Sequence, residues 1–129
     1  MILVDTQAVL WLTEEDSRLS EAAELLLIQG RKDGTLAIAD ITLREIAMLV
    51  SKGRVTLPMP LSVYLEFLES IFRVMPISAR IAERSIGFGK KYPNDPADKL
   101  IGATAIIHGM VLVTKDQEIR ASGEVNCVW

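Results

Sequence analysis

The sequence predicts an α/β fold, a three-layer α/β/α sandwich around a five-stranded, mainly parallel sheet. Short apolar runs, several of them β-branched, alternate with longer segments whose apolar residues recur at helical spacing. These runs are mostly continuous rather than alternating with polar residues, as expected for parallel strands covered on both faces. Right-handed crossovers then place helices on both sides of the sheet, and we expect the strand order 3-2-1-4-5.

Five segments are predicted as strands, at residues 2–4, 36–39, 74–77, 111–114 and 125–129. The third contains Pro76, which has no backbone N–H to donate and therefore indicates a strand at the edge of the sheet.

Helical spacing fills the segments between the strands. Leu25 and Ile28, with the alanines before them, predict a helix that ends near Gly30 or Gly34. Three further stretches are predicted as helices: residues 43–50 before Gly53, residues 61–72 after Pro60, and residues 78–88. The last long helix is expected from Pro96 to His108, ending at Gly109.

The composition fits one globular domain over residues 1–129, with 50% hydrophobic and 24% charged residues. The 14 Lys and Arg residues are outnumbered by 17 Asp and Glu residues, giving a net charge of −3. This is not the basic balance of a protein that holds nucleic acid by charge alone. Either nucleic acid is not the substrate, or bound metal and local basic patches supply positive charge.

Two further classes are disfavoured by the residue inventory. Cys127 is the only cysteine, so an internal disulfide and a cysteine-rich zinc site are excluded. The first residues lack the basic segment of a signal peptide, and the apolar run 100–113 is too interrupted to span a bilayer. We therefore expect a cytoplasmic protein that does not bind membranes.

Four carboxylates are predicted to meet at one edge of the sheet. Asp5 follows the first strand and Asp116 follows the fourth, and these strands are neighbours in the expected order. Glu45 lies near the start of the helix after strand two, and Asp98 near the start of the helix before strand four. Because functional groups in such folds gather at the carboxyl ends of the strands, all four acids should share one rim.

Closely spaced carboxylates repel one another and need cations to offset that repulsion. Carboxylate oxygens are hard ligands that suit Mg²⁺ or Mn²⁺, and one or two such ions can activate water and clamp a phosphodiester. The four acids therefore indicate metal-assisted hydrolysis of a phosphodiester.

Each acid also has a purely structural explanation. Asp5 and Asp116 could cap the helices that begin just after them, and Asp95 with Pro96 is a strong helix-start signal that accounts for Asp98 as well. Glu45 could be an acid favoured by the helix dipole. None of these explanations predicts that all four acids share one edge.

Three stretches carry a resemblance to the PIN-domain family, in particular the VapC-type toxins of bacterial toxin–antitoxin pairs. They are ILVDTQAVLWL, ITLREIAMLVSKGRV and DPADKLIGATAIIHGMVLVTKDQEI, and with the final strand they span essentially the whole chain. The resemblance implies a metal-dependent endoribonuclease that leaves 5′-phosphate and 3′-hydroxyl ends.

The resemblance also assigns roles to particular residues. It implies that Asp5, Glu45, Asp98 and Asp116 are catalytic and hold Mg²⁺ or Mn²⁺, one or two ions. Thr114 matches a hydroxyl that steadies the last acid, and Asp95 matches a supporting, helix-starting acid. Candidate RNA contacts are Lys90, Lys91, Tyr92, Lys99 and Lys115. Lys99 stands where related toxins most often have Arg, which loses a bidentate phosphate contact.

The resemblance further implies a VapB-like antitoxin as partner, and a homodimer. Trp11, Leu12 and residues 57–59 would form the groove that receives an amphipathic antitoxin segment, although core packing also explains these side chains. Any binding of DNA would be indirect, through the antitoxin.

The same residues argue against several alternative functions. The phosphatase pattern needs a second aspartate where Gln7 stands, and receiver domains need an acidic pair and a mid-chain aspartate that are missing. A histidine-based ribonuclease mechanism needs two imidazoles, and His108 is the only histidine. A DNA-cleaving nuclease using the same acids, and a catalytically inactive PIN-like binding module, remain as alternatives.

Overall fold

The computed structural model describes residues 1–16 and 18–129, and it contains the predicted α/β/α sandwich. The strands are β1 (Ile2–Val4), β2 (Leu36–Ala39), β3 (Arg73–Met75), β4 (Val111–Val113) and β5 (Cys127–Val128). The helices are α1 (Thr6–Thr13), α2 (Glu21–Asp33), α3 (Asp40–Ser51), α4 (Leu61–Ile71), α5 (Ala79–Ser85), α6 (Pro96–His108) and α7 (Gln117–Ser122).

All five strands are parallel, in the order β3-β2-β1-β4-β5, which confirms the predicted topology. In the central pairs, Leu3 lies opposite Ala37 of β2 and Leu112 of β4. The order reverses at β1, so the carboxyl ends of β1 and β4 lie side by side at the switch point.

Each face of the sheet carries its own hydrophobic core, because successive residues of a strand point to opposite faces. Val4, Ile38 and Val113 pack on one face, under α1 to α4. Leu3 and Leu112 pack on the other face, where Ile101 of α6 and Ile119 of α7 cover them. All seven of these side chains are fully or almost fully buried, which explains why the strands read as continuous apolar runs.

The helix ends follow local signals in the sequence. Ser20 accepts a hydrogen bond from the N–H of Ala23 at the start of α2, and Gly34 ends that helix in the left-handed conformation. Gly109 ends α6 in the same way. The longest helices, α2 and α6, have 13 residues each, and in the described part of the chain no helix is long and apolar enough to cross a membrane.

The third strand is shorter than predicted and ends before Pro76. The proline has no N–H, and the N–H of the next residue, Ile77, donates to Asp40 Oδ2 at 3.0 Å. The Asp40 side chain, at the start of α3, therefore accepts the hydrogen bond that a neighbouring strand would otherwise accept. The chain then turns toward α5. The prediction that β3 lies at the edge of the sheet is confirmed.

The second helix is present, but its buried face differs from the predicted one. Leu25 and Ile28 are 63% and 43% exposed, whereas Ala23, Leu27 and Gly30 face the sheet. Small residues at 23 and 30 let the helix approach the strands closely, since a side chain at Gly30 would meet Leu36. Of the apolar residues chosen from the sequence, Ala23 therefore faces the sheet, whereas Leu25 and Ile28 lie on the wrong face of a correctly predicted helix.

Candidate functional site

Asp5 and Asp116 lie at the carboxyl ends of the two neighbouring central strands. Asp5 directly follows β1, and its N–H donates to the carbonyl of Val113 at the end of β4, at 3.0 Å. Its carboxylate also caps α1, accepting the N–H of Thr6 at 2.8 Å. Asp116 caps α7 by accepting the N–H of Ile119 at 3.0 Å. Both acids are caps, and both are also brought to one rim by the sheet.

Thr114 connects these two acids. Its buried hydroxyl donates to Asp5 Oδ2 at 2.6 Å and accepts the N–H of Asp116 at 3.1 Å. The sequence interpretation gave this hydroxyl to the last acid alone. In the structure, the side chain that it orients is Asp5, and Asp116 is held through its backbone.

Glu45 reaches the same rim from the second turn of α3, where it is the sixth residue. The hydroxyl of Thr6 donates to Glu45 Oε1 at 2.6 Å and lies 3.3 Å from the buried hydroxyl of Thr42. Sequence reasoning missed Thr6, which read only as the first residue of a helix. Its position directly after Asp5, at a crowded strand end, is the signal that could have identified it.

Asp98 is the third residue of α6, and the turn before that helix positions it. Asp95 caps α6 by accepting the N–H groups of Ala97 at 2.8 Å and Asp98 at 3.4 Å. The Tyr92 hydroxyl donates to the backbone carbonyl of Asp98 at 2.6 Å. Asp95 therefore binds backbone N–H groups at the start of α6. The position of the Asp98 carboxylate is then set by the helix itself.

Burial and mutual repulsion raise the pKa values of three rim acids, Asp5, Glu45 and Asp98. Burial, followed by repulsion from Asp5, Asp95, Asp116 and Glu45, raises the pKa of Asp98 to about 7. Burial also raises the pKa of Asp5, against the lowering effect of the Thr114 hydrogen bond. Glu45 has its pKa raised by burial, with the hydrogen bond from Thr6 opposing that shift. The rim therefore concentrates negative charge in a partly water-excluded place.

The donor set suits a hard divalent cation. Both side-chain oxygens of Asp98, together with Glu45 Oε2 and Asp116 Oδ2, accept no hydrogen bond from the residues that the structure describes. In residues 1–16 and 18–129, no three Asp, Glu, His or Cys side chains already form a ready-made metal cage. The carboxylate oxygens suit such an ion by their chemistry, and side-chain rotations would have to bring them within bonding distance of it.

The predicted RNA contacts differ in how far they are exposed to solvent. Lys90 and Lys91 are exposed in the turn before α6, and half-buried Lys99 donates to Asn94 Oδ1 at 3.0 Å. Lys115 is exposed beside Asp116, with its Nζ 5.3 Å from the centroid of the Trp11 ring. Tyr92 is 4% exposed, so its ring has no free face for a base, and that prediction was wrong.

The predicted partner groove is mostly core. Trp11 is 6% exposed, and its ring centroid lies 5.8 Å from that of Trp129. Leu57 and Met59 are half-buried against the core beneath α1 to α4. Leu12 does reach a cleft of about 730 Å³ between the end of α1 and α2, which Leu19 and Ile28 also line.

Comparisons with known proteins agree with this fold. A family model described as the PIN domain matches residues 2–124. Ribonuclease VapC22 of Mycobacterium tuberculosis is 36% identical over 120 residues, covering 93% of this chain and 90% of that protein.

Solved structures share the fold over nearly the whole chain. One is VapBC2 of Rickettsia felis bound to a promoter DNA fragment, with a TM-score of 0.73, 21% identity and coverage of 99% of this chain and 98% of that one. Another is a toxin–antitoxin complex of Klebsiella pneumoniae, with a TM-score of 0.70, 24% identity and coverage of 100% and 97%. At these identities the likeness establishes the fold.

Proposed function

The chain belongs to the PIN-domain family, and from that membership we propose that it is a metal-dependent endoribonuclease, the toxin of a type II toxin–antitoxin pair. One observation carries the proposal: Asp5, Glu45, Asp98 and Asp116 surround a single sheet edge in a chain 36% identical to a named ribonuclease. The resemblance seen in the sequence is thereby confirmed at the level of the family.

The four carboxylates would hold one or two Mg²⁺ or Mn²⁺ ions. Such ions, when bound, lower the pKa of a coordinated water and offset the charge of a phosphodiester. The remaining work falls to the protein. Thr114 and Thr6 keep the carboxylates of Asp5 and Glu45 in fixed directions, and burial at the rim keeps bulk water from screening them.

No imidazole takes part in this proposal. His108 is the last residue of α6, whereas Asp98 is the third residue of the same 13-residue helix. The rise of an α-helix separates these backbone positions by roughly 15 Å. The products would be a 5′-phosphate and a 3′-hydroxyl, as the resemblance to the family implies, with water as the nucleophile and the 3′-oxygen as the leaving group.

The decisive experiment measures degradation of a single-stranded RNA by the full chain with Mg²⁺ or Mn²⁺, with EDTA, and after the ion is restored. We expect cleavage that EDTA abolishes and that returns with the ion. Asp98→Asn, which keeps the shape of the side chain, should reduce cleavage by at least a hundredfold. Asp33→Asn, at the exposed end of α2, is the matched control and should leave cleavage unchanged.

The two alternative functions give different results in the same assay. An inactive binding module would retain RNA without ion-dependent degradation. A DNA-cleaving nuclease would degrade single-stranded DNA in preference to RNA of the same sequence. Undiminished, EDTA-sensitive cleavage by Asp98→Asn would refute the assignment of that residue.

We also propose an amphipathic antitoxin segment as partner, and a homodimer as the free form. Several structures that share this fold are toxin–antitoxin complexes, and the apolar floor of the cleft beside Leu12 offers room for a helix. Co-purification with the protein encoded by the adjacent gene, followed by light scattering on the free chain, tests both parts. DNA binding would then require the antitoxin.

A further inference from the structure

A second cleft adjoins the acidic rim, and it is lined by basic residues that the sequence reading did not single out. Its volume is about 370 Å³, and it lies between α3 and the start of α6. Arg44, Lys52 and Arg54 line it, and Glu45 and Asp95 of the acidic rim line it as well. The floor is apolar, formed in part by Met48 and Leu100.

Helical geometry explains why acid and base share this cleft. Residues 41, 45, 48 and 52 of the α3 segment are three or four apart and therefore lie along one face. Arg44 lies beside them, with its Nη1 2.7 Å from Met48 Sδ along the helix. The same helix face thus places Glu45 at the rim and the positive charge of Lys52 about two turns further along the helix.

These cations are free to meet a ligand. Among residues 1–16 and 18–129, the ion pairs are Arg18 with Asp16 and Arg84 with Glu124, so none of the three cleft cations has a carboxylate partner. The side chains of all three cations are exposed. A polyanion lying in the cleft would gain three ionic contacts without breaking an existing ion pair.

Arg54 also lines a smaller neighbouring cleft of about 240 Å³, together with Gln7 and Arg18. Gln7 follows Thr6, the residue that binds Glu45. The two clefts therefore adjoin through Arg54. In the smaller cleft Arg18 is paired with Asp16, and Glu14 is also part of the lining. The three cations of the larger cleft answer the objection that a chain of net charge −3 is poorly suited to nucleic acid.

We propose that the cleft between α3 and α6 binds the backbone of single-stranded RNA next to the scissile phosphodiester. Arg44, Lys52 and Arg54 would contact phosphates, and a base would pack on Met48 and Leu100. The proposal rests on the ribonuclease function proposed above. Single-stranded RNA is the favoured occupant, because the volume is at the lower end for ligand sites and unpaired bases can enter an apolar cleft.

The test compares two triple variants of the full chain. R44A/K52A/R54A removes the cleft cations. R31A/K32A/R73A removes two Arg and one Lys at the opposite ends of the strands from the rim, where α2 ends and β3 begins. Each is placed on an Asp98→Asn background so that RNA is not consumed, and binding of a labelled 12-nucleotide RNA is followed by fluorescence anisotropy from 50 to 300 mM KCl.

We expect the cleft variant to bind at least tenfold more weakly at 100 mM KCl. Its slope of log affinity against log salt should fall by about 2, since each phosphate contact to a single strand contributes about 0.7. The control should keep the affinity and slope of its parent. With Asp98 restored, the cleft variant should show a raised KM for the 12-mer and a kcat within about twofold of the unsubstituted chain.

Equal affinity and salt slope in the two triple variants would overturn the proposal, whether or not the chain cleaves RNA. Unchanged RNA binding combined with lost self-association would assign the cleft to a second copy of the chain. Absence of cleavage by the unsubstituted chain would instead contradict the proposed ribonuclease function. If the triple variant fails to fold, the single variants R44A, K52A and R54A should each lower the slope by about 0.7.

Discussion

At the residue scale, two threonine hydroxyls fix two of the four rim carboxylates. Thr6 donates to Glu45 across 39 positions of the sequence, and Thr114 donates to Asp5 across 109. Each hydrogen bond lowers the pKa of the carboxyl that it reaches, against the raising effect of burial. The threonines therefore align these acids and partly offset the effect of burial on their pKa values.

Thr6→Val tests this role, because it keeps the shape of the side chain and removes the donor. We expect about tenfold slower RNA cleavage, and an acid limb of the pH–rate profile shifted to higher pH, because Glu45 loses a bond that lowers its pKa. Thr6→Ser should restore most of the activity.

Thr104→Val is the matched control for that substitution. It removes another buried hydroxyl, which donates to the Leu100 carbonyl within α6. Both valine variants should lose roughly 1 kcal/mol of stability, but only Thr6→Val should move the pH profile. Equal pH profiles for the two would show that Thr6 is merely structural.

Asp98 makes the stability of the metal-free chain depend on pH. Its pKa of about 7 in the folded chain lies above its value of 3.8 when unperturbed, so the folded state holds a proton that the unfolded state has released. The free energy of unfolding should therefore fall as pH rises from about 4 to about 7. The effect is moderated by water, since Asp98 is half-exposed.

Asp98→Asn should flatten this dependence when thermal unfolding is followed in EDTA. At pH 8 we expect its Tm to exceed that of the unsubstituted chain by a few degrees, whereas near pH 4 the two should agree. Asp33→Asn should follow the unsubstituted chain throughout. A lower Tm for Asp98→Asn at pH 8 would contradict the raised pKa.

At the scale of elements, the entry to α6 depends on a close contact with the preceding turn. The rings of Phe88 and Tyr92 stack with centroids 3.9 Å apart, and the Tyr92 hydroxyl holds the carbonyl of Asp98. Gly102 of α6 leaves room for both rings, because a Cβ there would lie 2.9 Å from Phe88 Cζ and still closer to the Tyr92 hydroxyl. The glycine thus lets the turn position the acid.

Gly102→Ala should destabilise the chain by roughly 1–3 kcal/mol, although alanine is the better helix former. It should also slow RNA cleavage, because the displaced tyrosine no longer holds Asp98. Chemical denaturation of Gly102→Ala, Tyr92→Phe and the double variant measures the coupling. We expect the cost of Gly102→Ala to be smaller in the Tyr92→Phe background, and additive costs would argue against the contact.

The elements that local signals define could be predicted from the sequence. α6 was predicted with both of its ends, because Asp95, Pro96 and Gly109 specify them by backbone chemistry alone. The strand order followed from the parallel sheet, and it placed Asp5 beside Asp116.

What could not be predicted depends on contacts between distant segments. The buried face of α2 is set by how closely the helix approaches β2, and the end of β3 is set by a hydrogen bond from Ile77 to Asp40. Tyr92 looked like an exposed residue of a basic turn, but it packs under α6. The same holds for Thr6, whose partner lies in another helix.

At the scale of the whole molecule, negative charge at the rim should couple ion binding to stability. At pH 8 we expect 5 mM Mn²⁺ to raise the Tm by several degrees, because the ion binds only the folded arrangement of acids. The rise should be smaller at pH 5, where protonation of Asp98 competes with the ion. Asp98→Asn should show little rise at either pH, and an equal rise in that variant would place the ion elsewhere.

The position of β1 in the middle of the sheet has a consequence for biosynthesis. Its neighbours are β2 and β4, and the Asp5 carboxylate receives its hydrogen bond from a residue 109 positions later. A nascent polypeptide that has emerged only as far as residue 110 lacks both Thr114 and the fourth acid. We therefore expect a nascent chain that has not yet exposed residues 114–116 to be harmless to the RNA around it.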